Sequence, residues 1–419
     1  MTTKLFAGID ISANDAVLCC LDQDGNQLGP SRKFANDLQG ANELWDAITA
    51  FPVNEVHIGL EATSVYGVHL RDFLAFAKEV HPNWVVYEIN PSLVAGFKKS
   101  FPKRPKTDHQ DAWLIAERVR FGRIEPFSLR KITTAPLLQL TRHRLHLIEL
   151  VTTEQNRACN MIFLKFSNYR KDNPFSNTFG KASQAILRDF SPDELVSMDM
   201  EQLVSFIAQN GNNRIKDVGQ IAADLKNMAK RAYQLNPKIQ NSINVTLTMT
   251  LHNIDFFKSQ IKRLDKIIAQ ELQAIPQTLT SVPGIGPVWA AGLTAEIGDI
   301  SRFRDEAALA QYAGLTWSRY QSGNFDAEER RLTKTGNRYL RYYLVEAANS
   351  LRVHNEEYKA YYQVKYKEVT KHQHKRALVL TARKFVRLVF ALLSKGQLYT
   401  PACPPTGGQA GVRKQIDWR

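Results

Sequence analysis

Asp10, Glu61, Asp108 and Asp111 are the residues of this chain whose type and spacing best suit chemistry. Asp10 ends an apolar run, KLFAGID, and Glu61 ends another, EVHIGLE, so each carboxylate emerges where a strand stops. Sites of open α/β sheets lie at strand ends. Asp108 and Asp111 stand three apart in TDHQDAWLIAERV, which reads as a helix starting at Thr107 or Asp108 and places both acids on one face. Four carboxylates suit divalent cations, because Mg²⁺ (or Mn²⁺) takes oxygen ligands and keeps several waters. Two such ions stabilise both the attacking and the leaving oxygen of a phosphodiester transfer. Singly, each acid has a plainer reading: Asp10 and Glu61 as polar strand ends, Asp108 as a helix cap. The set, with the elements that must carry it, points to nucleic-acid chemistry.

Those elements are legible. The first 125 residues read as strands KLFAGIDI, AVLCCLD and QLGPSRKF, a helix over 37–50, strand EVHIGLE, helix SVYGVHLRDFLAFAKEV, strand NWVVYEIN, and short helices around 91–99 and 108–121. The order β-β-β-α-β-α-β-α is that of an RNase H or RuvC-like fold. Beyond it, 136–165 reads as a long leucine-rich helix. A second long helix, around 254–275, has apolar residues at 254, 257, 261, 264 and 268, the spacing of a coiled-coil seam. Between them lies a polar segment, 166–245, with helical stretches and no legible function. The expected organisation is therefore an α/β RuvC-like domain over 1–130, a coiled-coil helical arm over 131–275 with the 166–245 insert, a mainly α domain over 276–396, and a flexible tail over 397–419.

Charge is unevenly distributed. The formal net charge is +14, yet residues 1–100 hold 7 Lys and Arg against 12 Asp and Glu, leaving 48 against 29 for the rest. A basic surface after the first domain fits a polyanion, since neutralising phosphates releases counterions. Basic residues also flank the acids: Lys98, Lys99, Lys103, Arg104 and Lys106 precede or enter the acidic helix and would position a phosphate backbone. In SVPGIGPVWAA, Gly284 and Gly286 form a turn between helical segments that matches a helix-hairpin-helix motif, with backbone N–H groups approaching phosphate. A tight turn between packed helices is the plainer reading. Lys334, Arg338 and Arg341 surround Thr335, Gly336 and Asn337 at a helix start and suit phosphate clamping. The segment from Lys365 to Arg387 carries eight Lys or Arg against one acid, Glu368, and reads either as a nucleic-acid helix or as a solvated amphipathic one.

The four cysteines show neither metal-ligand spacing nor a disulfide framework, and no stretch reaches the ~18 apolar residues of a membrane span. A reduced, cytoplasmic, nucleoid-associated protein with no membrane partner is expected. Ser322, in YQSGNF, sits in a turn with nothing nearby in sequence to activate its hydroxyl.

The chain resembles the DEDD transposases of bacterial insertion sequences, relatives of Piv-type DNA invertases and of bridge-RNA-guided recombinases. The motifs that carry the resemblance are GIDIS, GLEATSVYG, PKTDHQDA, VPGIG, AGLTWSRYQSG and LTKTGNRYLR, spanning most of 4–395. It implies that Asp10, Glu61, Asp108 and Asp111 are the acidic tetrad coordinating Mg²⁺ or Mn²⁺. It implies that Ser322 is a nucleophile forming a covalent phosphoserine link, with Ser318 the less favoured alternative. It also implies donor and target double-stranded DNA, a structured guide (bridge) RNA, and a homo-oligomer, dimer or tetramer, in which one subunit's acids meet another's serine. The FDAEERR run after the serine departs from the glycine- and basic-rich run common in that family, and 166–245 is longer than a minimal member needs.

Three other readings stand beside it. A RuvC-like nuclease would use metal-activated water and leave Ser322 structural. A non-catalytic nucleic-acid-binding factor would use the acids only for stability. An actin-like ATPase or sugar kinase is disfavoured because no Gly follows Asp10 in an Asp-x-Gly arrangement.

Overall fold

The computed structural model describes residues 3–62, 65–101, 107–124, 126, 130–233, 235–317, 321–322, 325–326 and 332–401. The chain divides into two units, Met1–Thr133 and Thr134–Arg419.

The first unit is built on a five-stranded sheet: β1 (Lys4–Ile11), β2 (Asp15–Leu21), β3 (Arg32–Ala35), β4 (Glu55–Glu61) and β5 (Trp84–Ile89), in the order β3-β2-β1-β4-β5. β1–β2 and β2–β3 pair antiparallel, β1–β4 and β4–β5 parallel. Its helices are α1 (Leu38–Thr49), α2 (Val68–Phe76), α3 (Pro91–Lys98) and α4 (Asp108–Phe121). Strands of period two sort their side chains by parity. Leu5, Ala7 and Ile9 of β1, with Ile58 and Leu60 of β4, enter one core with Leu44 and Ile48 of α1 and Leu70 and Leu74 of α2. Phe6 takes the opposite face, where Ala112, Ile115, Ala116 and Val119 of α4 form the second core. Mixed pairing and this element order match the RNase H-like expectation. The third strand is shorter than QLGPSRKF suggests, because Gly29 adopts a left-handed φ of +80° and separates an isolated bridge at Gln27 from β3.

The second unit is helical among its described residues apart from a two-stranded ribbon, β6 (Gln321–Ser322) and β7 (Phe325–Asp326). Its helices begin with α5 (Arg130–Lys165), whose first residues precede the unit boundary, and continue with α6 (Tyr169–Asp172), α7 (Lys181–Asp189), α8 (Pro192–Ser197), α9 (Met200–Asn210) and α10 (Val218–Lys230). Then follow α11 (Pro237–Gln273), α12 (Pro287–Ile297), α13 (Glu306–Tyr312), α14 (Arg338–His354), α15 (Glu356–Lys367) and α16 (Gln373–Lys395).

α5 and α11 run antiparallel: Arg144 donates to Asp265 at 2.5 Å, and Thr250 lies 3.9 Å from Met161 Sδ. α11 begins well before the apolar pattern over 254–268 that marks it in the sequence. Its first turns, rich in Ile, Val and Thr, have modest helix propensity, and burial of Leu247 and Leu251 overrides that preference. The same core absorbs Ile186, Leu195, Leu203, Ile207, Leu225 and Met228, so 166–245 is a packed helical layer rather than a polar excursion. A separate core joins Leu137, Ile268 and Leu272 to Leu293, Tyr343, Leu344, Phe385 and Val389 of the C-terminal helices.

Candidate active site

Parity decides where the acids go. Asp10 follows Phe6 and Gly8 at intervals of two and therefore faces α4, as does Glu61 after His57 and Gly59. Parallel register pairs Ile9 with Leu60, so Asp10 and Glu61 are the next residues in step on neighbouring central strands. Helix α4 lies close against these strands because two glycines make room. A Cβ on Gly8 would sit 2.2 Å from Ala112 O and 2.2 Å from Ala116 N, and one on Gly59 would sit 2.4 Å from Val119 Cγ2. Thr107 caps the helix, its side chain accepting from Gln110 N at 3.3 Å. Asp108 and Asp111 occupy the first turn, where the helix dipole favours negative charge.

Asp10 feels the other three carboxylates. Asp10 is pushed from 3.8 to about 6, by burial first and then by the negative charges of Asp111, Asp108 and Glu61. One cation already answers this field: Lys98, the last residue of α3, places Nζ 2.5 Å from Asp111 Oδ1. α3 is held on α4 by Val94 in the shared core and by Phe97, whose ring lies 5.7 Å from that of Phe121. Among the described residues no three acids, histidines or cysteines converge tightly enough to form a ready-made metal cage. The donor set nonetheless fits a hard divalent cation. It offers only carboxylate oxygens, and the mutual repulsion that favours a proton on Asp10 is what a dication would relieve. Asp10, Glu61, Asp108 and Asp111 are the residues that would hold it.

Lys103, Arg104 and Lys106 lie outside the described residues, as does Ser318. In the second unit Ser322 closes β6 and pairs with Phe325 of β7. Gly284 has φ +92° and its carbonyl accepts from Ser350 Oγ at 2.6 Å. Gly286 precedes Pro287 as the N-cap of α12, and a Cβ there would meet nothing within 4 Å. The helical segment before this turn is the single 3-10 turn Leu279–Ser281.

The turn before α14 divides its residues by task. Lys334, Thr335 and Arg338 are exposed. Asn337 is engaged in the fold: its Oδ1 accepts from Tyr339 N and Leu340 N, and its Nδ2 donates to Glu296 Oε2 at 2.7 Å. Arg341 donates to the carbonyls of Ala313 and Lys334, both at 3.1 Å. Sequence reasoning missed the buried Glu296, which also accepts from Arg142 Nε at 2.8 Å and Nη2 at 2.9 Å. The partners are 154 positions apart, so no local pattern could pair them.

Comparison with known proteins shows what the chain is similar to. A family model described as "Transposase", for DEDD transposases of the IS110 type, matches residues 7–166. A second, "Transposase IS116/IS110/IS902 family", matches residues 276–363. The chain is 26% identical over 411 residues to the IS116 insertion element 44.8 kDa protein of Streptomyces clavuligerus, covering 96% of this chain and 98% of that one. It is 24% identical to the pilin gene-inverting protein of Moraxella bovis, over 81% of this chain and 80% of the relative. Over 41% of this chain and 50% of the relative it is 29% identical to the transposase for insertion sequence element IS1111A of Coxiella burnetii. Its acidic α/β unit and its helical C-terminal region thus each match a transposase model, and the chain belongs to the IS110/IS116 family of DEDD transposases.

Proposed function

We propose that this transposase cuts and rejoins DNA by transesterification at the face shared by β1, β4 and α4. The observation that carries the reading is the close seat of α4 over Gly8 and Gly59, which aims Asp108 and Asp111 at the strand ends bearing Asp10 and Glu61. A divalent cation bound by these acids, Mg²⁺ or Mn²⁺, would supply charge stabilisation to the scissile phosphate. Lys334 and Arg338 are exposed cations suited to the DNA backbone, presented by a turn that Asn337 and Arg341 build.

Ser322 is the nucleophile in this reading. Its Oγ bonds to the scissile phosphorus as the bond from phosphorus to the departing sugar oxygen breaks. The serine proton ends on that oxygen, leaving a phosphoserine diester on one strand end and a free hydroxyl on the other. The ester conserves the energy of the broken bond, so rejoining needs no ATP. Donor and target duplexes, a structured guide RNA and a homo-oligomeric assembly complete the proposal. The excess of basic residues after residue 100 supports the polyanionic partners.

The test is to stop a cleavage reaction with detergent and run the labelled DNA on a gel. A slow-migrating adduct that protease removes, absent in Ser322→Ala, is expected. Free hydrolysed ends that persist in Ser322→Ala would instead establish a nuclease using water.

A further inference from the structure

The C-terminal helical hairpin carries a row of tyrosines that begins in the core and ends in solvent. Tyr358, Tyr361, Tyr362, Lys365 and Tyr366 fall on one face of α15, at intervals of three and four. Tyr358 is buried edge-on against Phe385 of α16, with centroids 6.1 Å apart. A tyrosine stripe at this spacing is usually just the packing seam of a helix. Here the seam is also flanked by cations from α14 and α16 along its length, starting with Lys384 Nζ at 5.1 Å from the Tyr358 centroid.

Lys384 Nζ lies 4.8 Å from the Tyr361 centroid and Arg352 Cζ lies 5.2 Å from that of Tyr362. The Tyr362 hydroxyl is 2.7 Å from His374 Nδ1. Tyr366, 5.9 Å from Tyr362 between centroids, is 37% exposed, and Val364 beside it is 59% exposed.

The charge around this lattice is strongly positive. Residues 352–387 hold ten Lys and Arg against three acids, Glu356, Glu357 and Glu368. The acids are spent internally: Glu357 holds Lys384 at 2.7 Å, Glu368 holds Lys365 at 2.5 Å and Arg376 at 2.8 Å, and Glu356 holds Lys359 at 3.2 Å. Two of these pairs fix Lys384 and Lys365 beside the Tyr361 ring. Lys367, Lys371 and Lys375 are exposed and make no ion pair among the described residues. Aromatic faces set among unneutralised lysines are what unpaired nucleotides need, since each base offers a π-face and each phosphate a charge. A duplex would use the lysines alone, because its bases stay stacked on each other.

We propose that α15 and the start of α16 form a stacking platform for unpaired nucleotides, of RNA or of DNA, with Tyr366 as its outermost ring. This rests on the reading that the chain handles nucleic acid, but on neither its acids nor its serine.

The test is fluorescence anisotropy of the full chain with labelled RNA single strands, DNA single strands and DNA duplex, each about 20 nucleotides or base pairs long. Tyr366→Ala is expected to weaken single-strand binding about 5-fold or more while duplex affinity holds within about 2-fold, and Tyr366→Phe to bind as the parent does. Lys367→Ala should weaken all three ligands and lower the salt slope by about one. Stronger binding of the RNA would identify a transcript as the natural occupant. Stronger binding of the single-stranded DNA would identify an opened DNA strand, and either preference supports the platform. Unchanged single-strand affinity in Tyr366→Ala would overturn it. So would an equal loss on duplex and single strand, and either failure leaves the cleavage assay of Ser322→Ala untouched.

Discussion

Adding one methyl group at Gly8 should disable the site from beneath. The Cβ of Gly8→Ala would stand 2.2 Å from two backbone atoms of α4, Ala112 O and Ala116 N. Neither can swing aside as a side chain can, so the helix must retreat by about 1 Å to restore van der Waals separation, at about 1–3 kcal/mol for overpacking. Asp108 and Asp111 ride on that helix, and a displacement of about 1 Å at a reacting centre costs roughly 100-fold in rate. Strand-cleavage rate and urea unfolding, measured on the same preparation, would separate the two effects. Gly59→Ala should be milder, because its clash is with the Val119 Cγ2 methyl. Gly96→Ala, with nothing within 4 Å, should leave the rate alone and gain about 0.5–1 kcal/mol in α3. Wild-type cleavage and stability in Gly8→Ala would refute the claim that close seating of α4 builds the site.

Asp10→Asn should stabilise the metal-free protein. A carboxyl raised from 3.8 to about 6 binds its proton more tightly when folded, so it costs stability as pH rises through that window, fully above about 6 and not at all below about 4. The shift corresponds to about 3 kcal/mol, cut to about 1–2 because half-exposed Asp10 is screened by solvent. Urea unfolding at pH 8 should show the gain and unfolding below pH 4 should not; equal gains at both would refute the electrostatic origin. Lys98→Met should remove the ammonium held against Asp111 and tighten Mn²⁺ binding roughly 3- to 10-fold by calorimetry. Weaker binding there would mean that Lys98 orients Asp111 for the ion. Glu296→Ala should cost about 2–3 kcal/mol in urea unfolding, since it strands Arg142 without its acceptor and leaves the Asn337 amide only the Tyr312 hydroxyl at 3.3 Å. A loss below about 0.5 kcal/mol would show that water replaces it.

Much of the first unit could be read from residue order because its signals are local. KLFAGIDI and EVHIGLE reveal both the strands and, by parity, the face on which Asp10 and Glu61 emerge. Thr107, Asp108 and Asp111 announce a helix start within five positions. The closeness of α4 to the sheet was not legible, because Gly8 and Gly59 acquire meaning only once Ala112, Ala116 and Val119 are placed over them. In 166–245 the helical stretches were legible but their packing was not: exposed Asn, Gln and Lys dominate the composition, while the apolar residues meet across five short helices and α11. Asn337 shows the same limit at one residue. Its position suggests phosphate contact, yet its amide caps α14 and meets Glu296, forty-one positions earlier.

Manganese titration followed by electron paramagnetic resonance most directly tests whether the four acids share a cation. The wild-type chain should take up Mn²⁺ and lose the free-ion signal. Asp10→Asn and Glu61→Gln should each weaken uptake at least about 10-fold, as loss of a carboxylate from a hard-cation site requires. Undiminished uptake in both variants would place the metal elsewhere and remove the basis for cleavage at this face.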